Sequence, residues 1–194
     1  WRYPSKTECI TCHNSISKGG LGLRTRHLNS DFTYTEAETD STANQLVAFS
    51  NLGILNELIS DEDTSNFLTH SSIEDPNASI DEKARSYLDL NCAYCHMPGT
   101  GNRSEFDLRL VNSLAETGLL TAGTVIPMGG EGEKILVPGD AEKSILYKRM
   151  HTLSTGAMMP PLAKNVLDEE ALILIRDWIN QMEVPAKQTP AVQD

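Results

Sequence analysis

The sequence writes one five-residue pattern twice, as CITCH over residues 9 to 13 and CAYCH over residues 92 to 96. Those two boxes contain all four cysteines of the 194-residue chain. Each sets its thiols three residues apart and puts a histidine directly behind. A shared four-thiolate zinc site is one use for two such pairs, but zinc ribbons place their pairs about 15 to 20 residues apart. Here 79 residues lie between Cys12 and Cys92. A thioredoxin-like dithiol wants a βαβ context, and the chain shows none. Neither rival explains a histidine in the same place twice.

Two thiols at this spacing followed at once by an imidazole match the attachment of a c-type haem. The thiols add across the two vinyl groups of one porphyrin, and the adjacent histidine lies under the iron as proximal ligand. On this reading Cys9, Cys12, Cys92 and Cys95 hold two covalently attached haem c groups, and His13 and His96 are iron ligands. Composition agrees with such a load. With 39% apolar and 6% aromatic residues, the chain is thin for two small modules that must each bury a core, and a large buried prosthetic group makes up the difference.

The rest of the chain narrows the partners. No run of 18 apolar residues occurs, so no helix is expected to span a membrane, and no secretory leader pattern is visible. The formal charge is −11, and from His27 to Glu82 there are twelve Asp or Glu and no Lys or Arg. Phosphate binding wants the opposite sign, which argues against nucleic acid. The acidic surface serves solubility or steers a basic partner. The abrupt start and the tail EVPAKQTPAVQD, of linker composition, read as an excerpt of a longer precursor.

Residues 1 to 41 read as mostly irregular. A helix is expected after Ser41 or Thr42, running to Gly53 as its C′ residue, and 60 to 78 return to loop composition. Ser79 with Glu82 makes a capping box that opens a helix leading into Cys92. Asp140 caps AEKSILYKRM. Asp168 caps a last helix in which Ala171, Leu172, Ile175, Trp178, Ile179 and Met182 recur at helical spacing. Strand-like alternation of comparable length is absent. The expected fold is all-α: two haem modules with long loops, residues 1–75 and 76–185, followed by a tail at 186–194.

From about Ser79 to Met182 the sequence resembles a class I cytochrome c, on the helix leading into CAYCH, the methionine-proline loop some sixty residues on, and the closing amphipathic helix. The whole chain resembles a family of bacterial dihaem cytochromes, on WRYPSKTECITCHN, LGLRTRHLNSDF, ARSYLDLNCAYCHMPG, FDLR, PGDAEKSILYKRM and MPPLAKNVLDEEALILIRDWI. The resemblance implies two cytochrome c-like modules, a place in the periplasm or outside the cell, and membership of larger exported proteins with fused redox or carbohydrate-associated domains.

Each iron also needs a sixth ligand or is left open. For the second haem the choice is Met159, directly before Pro160, because thioether sulfur is a soft ligand suited to haem iron and the resemblance places it there. Met158 and then His151 are fallbacks. For the first haem His27 is the choice, fourteen residues past His13 across a glycine-rich turn, with His70 next and an open iron, or a ligand from a segment upstream of this excerpt, as the further alternatives. Arg24, Arg26 and Arg109 are candidate propionate partners, since guanidinium grips carboxylate bidentately. Tyr87 and Trp178 read as core. The expected function is transfer of single electrons between the haems and a redox partner, with no catalytic side chain; a dihaem peroxidase is the alternative.

Overall fold

The computed structural model describes residues 3–35, 40–101 and 104–183. The chain begins with helix α1, Lys6–Cys12, a single turn α2, Thr25–Leu28, and an antiparallel hairpin of β1, Asp31–Tyr34, and β2, Ser41–Asn44. Then follow α3, Gln45–Asn51, the single turn α4, Asp61–Thr64, the long α5, Ile80–Asn91, a 3₁₀ turn at Ala141–Lys143, α6, Ile145–Met150, and α7, Glu169–Gln181.

The all-α expectation is corrected here. Helix accounts for 32% of the described residues and a two-stranded sheet is present, so the protein is mixed. The strands pair Asp31 with Asn44 and Tyr34 with Ser41. β1 sits inside the polar stretch that reads as loop and β2 takes the residues expected to open the first helix; neither shows as a strand, because four residues are too few for alternation and both faces stay largely in water. A side-chain contact crosses the pair, Thr33 Oγ1 lying 2.9 Å from Thr42 Oγ1, and along β1 itself Phe32 meets Tyr34 edge to face.

The helix ends follow ordinary capping chemistry. Ser5 accepts from Glu8 N–H while Glu8 accepts from Ser5 N–H, and Ser79 and Glu82 do the same. A Ser-x-x-Glu box therefore starts the helix ahead of each CxxCH. α3 starts two or three residues later than the sequence implies, capped by Asn44, and Gly53 closes it at φ +69°. The segment after Asp140 breaks at Ser144 into the 3₁₀ turn and α6. The tail at 186–194 lies outside the described residues.

One apolar cluster unites α5, α6, α7 and the loops between them, around Leu88, Leu119, Leu136, Ile175 and Ile179. α5 and α7 are also latched by polar bonds: Trp178 Nε1 donates to Asp81 at 2.8 Å and Tyr87 donates its hydroxyl to Asp168 at 3.2 Å. Trp178 is core, whereas Tyr87 is only partly buried. α5 is buried on two faces. Ala84 and Leu88 meet the apolar cluster, while Arg85, Ser86 and Asp89, one turn apart on another face, are buried although polar.

That polar face carries residues from the first part of the chain. Ser86 Oγ accepts from Ser71 N–H at 2.9 Å. Asp89, its side chain wholly buried, accepts from Arg26 at 2.5 and 2.9 Å, from His70 Nε2 at 2.7 Å and from Leu110 N–H at 3.0 Å. Burial alone would raise the Asp89 carboxyl; the hydrogen bonds from His70 and Arg26 outweigh it and hold the carboxyl well below the usual range.

Candidate haem-binding site

The second box closes α5. Cys92 follows the last helical residue, and His96 N–H donates to Cys92 C=O at 2.9 Å. This turn puts Cys92 and His96 on the wall of a cavity of about 320 Å³. Tyr87, Phe106, Ile126, Ile145, Met150 and Leu172 supply much of the rest of the lining, the mostly apolar surround that cofactor sites favour. His96 stacks on Phe106, ring centroids 4.5 Å apart and nearly parallel. Its Nδ1 lies 2.9 Å from Ser104 Oγ, so the ring is oriented with Nδ1 engaged. Burial pulls the His96 pKa down to about 4, which keeps the imidazole neutral with a lone pair to give. Burial also pushes the Cys92 thiol up to about 12.

Met159 lies on the same cavity wall; Met158 and His151 do not line it. The backbone of Met159 is fixed at both ends: its N–H donates to Arg149 C=O at 3.0 Å, and its C=O accepts from Lys164 Nζ at 3.2 Å. Lys164 also donates to the carbonyls of Met150 and Thr152, and burial lowers its pKa. Arg149, buried itself, donates to Ala157 and Ile126 carbonyls. The Thr124 hydroxyl borders the cavity, buried, with no hydrogen-bond partner among the described residues. An apolar cavity with an oriented imidazole, a thioether on its wall, a thiol at its edge and an orphaned hydroxyl fits a covalently held haem.

The first box repeats the local geometry without the walls. His13 N–H donates to Cys9 C=O at 2.9 Å, as His96 does to Cys92. His13 Nδ1–H donates to Gly19 C=O at 2.6 Å, leaving Nε2 with the lone pair. No residue of α1 is buried, and Cys9 and Ile10 face solvent. A second cavity, about 490 Å³, lies between Ile16, Gly22 and Leu23 on one side and Met97, Pro98 and Arg109 on the other.

His27 and His70 come together, but on Asp89. Their rings stack at 5.2 Å, and with Asp89 they form a group whose donor atoms all lie within 4.8 Å of one another. His27 Nδ1 accepts from Arg24 N–H at 3.2 Å, the opposite use of that nitrogen to the one in His13. Burial, then the neighbouring His70 and Arg26, lower the His27 pKa. His70 spends Nε2 on Asp89, and its Nδ1 is buried without a partner among the described residues. Of the three candidate arginines, Arg26 is committed to Asp89 and Arg109 forms a bidentate pair with Asp107, while Arg24 lines the second cavity.

Ser104, Lys164, Arg149 and Thr124 have no sequence signal, because each acts through a loop closure that periodicity does not encode. Asp89 had a faint one: with Arg85 and Ser86 it makes a polar stripe on a helix whose other face is apolar, which reads by default as solvated.

A family model described as Planctomycete cytochrome C matches residues 92–162, from the first cysteine of the second box through the Met159 loop. No curated protein and no solved structure matches the chain. The matched region is cytochrome c-like, which supports a covalently bound haem c, an electron-transfer role and redox partners in general. No helix among the described residues is long and apolar enough to cross a membrane.

Proposed function

We propose that the chain is a dihaem c-type electron carrier. The observation that carries the second haem is the shared geometry of the boxes: in both, the histidine N–H closes on the first cysteine's carbonyl at 2.9 Å and the ring engages Nδ1 elsewhere, the arrangement that presents Nε2 to a metal. Cys9, Cys12, Cys92 and Cys95 attach the two groups. Each S–H adds across a vinyl double bond, one C–S bond forming and the proton passing to the neighbouring carbon, with no oxidant required. Bound haem supplies an iron that cycles between ferrous and ferric, and the protein supplies ligands, insulation and a docking surface.

In the second site His96 and Met159, on one cavity wall, are the residues that would hold the iron. In the first, His13 and His27 would hold the iron, which requires the His27 ring to release Arg24 N–H from Nδ1. Haem attachment of this kind belongs to the periplasm or the exterior, and the acidic stretch before α5 suits a basic redox partner or fused domain.

Met159→Ala should remove the sulfur-to-iron band in the near infrared of the oxidised protein and lower that haem's potential, while Met158→Ala leaves both in place. A band that survives Met159→Ala refutes the ligand choice. The peroxidase alternative draws on one observation, the Arg24 N–H on His27 Nδ1: a neutral ring so held carries its proton on Nε2 and donates no lone pair there, leaving the first iron open. A high-spin ferric signal in electron paramagnetic resonance and rapid peroxide turnover would select that reading; a bis-imidazole low-spin signal selects His27.

A further inference from the structure

The two boxes are far apart in sequence and touch in space. Cys95 Sγ lies 3.6 Å from Cys12 Sγ and 3.7 Å from Thr11 C=O. The residues that follow each box pack together as well: a Cβ placed on Gly99 would sit 3.2 Å from Ile16 Cδ1, and Gly99 has φ +85°, where glycine is at ease and other residues are strained. The contact is braced from a distance by Arg26 and His70 on Asp89 of α5, which tie the first part of the chain to the helix that delivers the second box.

We propose that Cys12 and Cys95 form the junction between the two haems. The inference rests on the dihaem reading. Cys12 and Cys95 are the second cysteines of their boxes, so they hold equivalent positions on the two groups, and their sulfurs meet at van der Waals separation. The chain has built its two attachment sites back to back at these sulfurs rather than on separate faces. With both groups attached, the adjacent sulfurs of Cys12 and Cys95 would give a short path for a single electron between them, one site losing the electron that the other gains, with no bond or proton moved. The redox partner supplies and removes that electron.

The test is electron paramagnetic resonance on the haem-loaded full chain, with the haem count of the same sample taken by mass. Fully oxidised protein should show low-spin signals broadened by mutual coupling, and poising the potential to reduce one haem should narrow the signal of the other. Variants Cys9→Ala/Cys12→Ala and Cys92→Ala/Cys95→Ala supply the uncoupled spectra; where either fails to fold, the half-reduction measurement on the unaltered chain decides alone. Two haems by mass with no narrowing on half-reduction overturn the junction and leave the dihaem reading standing. A sample that carries one haem overturns both.

Discussion

Asp89→Asn is the substitution with the sharpest expected cost. The Asp89 carboxylate is wholly buried and takes two hydrogen bonds from Arg26, one from His70 and one from Leu110 N–H. An amide of the same shape keeps one acceptor oxygen but sets an NH₂ group against donors and leaves the Arg26 charge without its counter-charge. Removing one partner of a buried pair costs about 3–5 kcal/mol. Arg26 keeps 19% of its side chain exposed, which places the expected cost at the low end, about 3 kcal/mol. That is roughly a hundredfold in the folded-to-unfolded ratio and a fall of about 6–12 °C in Tm for a chain of this size. Thermal melts of haem-loaded protein followed by far-ultraviolet circular dichroism read it directly. The pH dependence has a definite sign. The folded carboxyl titrates below its unfolded value, so its contribution is full above the unfolded pKa, near 4, and is lost as pH falls through the folded value. The gap between the two proteins should therefore narrow below about pH 4. Equal melting points at neutral pH, or a gap that stays constant into acid, would refute the placement of Asp89 as a buried hub.

Ile175→Ala, at a fully buried position in the α5–α7 cluster, should cost about 3 kcal/mol in guanidinium unfolding; a loss under about 1 kcal/mol would remove it from the core. Lys164→Met takes the donor from three carbonyls, those of Met150, Thr152 and Met159, and should release the sulfur-to-iron band at a lower temperature than in the unaltered chain while the haem stays covalently attached. An unshifted release temperature would show that the lysine does not steady the Met159 loop.

What could be read from the sequence was what local chemistry dictates. Both CxxCH boxes, the Ser79–Glu82 cap, the Asp168 cap and the apolar stripe of α7 are short-range signals, and α5 and α7 lie where the caps and the stripe put them. The same Ser-x-x-Glu signature at Ser5–Glu8 marks α1, although the surrounding serines and glycines read as irregular chain. The hairpin escaped notice because its strands are four residues long and carry no buried stripe. The meeting of Cys12 with Cys95, and of Arg26 and His70 with Asp89, depends on how the first part of the chain folds onto α5, at separations of 83, 63 and 19 residues. Nothing in a local pattern encodes such contacts. His27 shows the same limit: spacing made it a candidate ligand, and only the fold revealed that its Nδ1 faces Arg24 N–H.

The most direct measurement is the mass of the purified, denatured protein after export with its haem-attachment machinery. Two thioether-linked haems require the polypeptide mass plus two haems, with Cys9, Cys12, Cys92 and Cys95 all carrying the links when peptides are mapped. A colourless protein at the bare 21.3 kDa of the chain, or one haem with Cys9 and Cys12 unmodified, would contradict it.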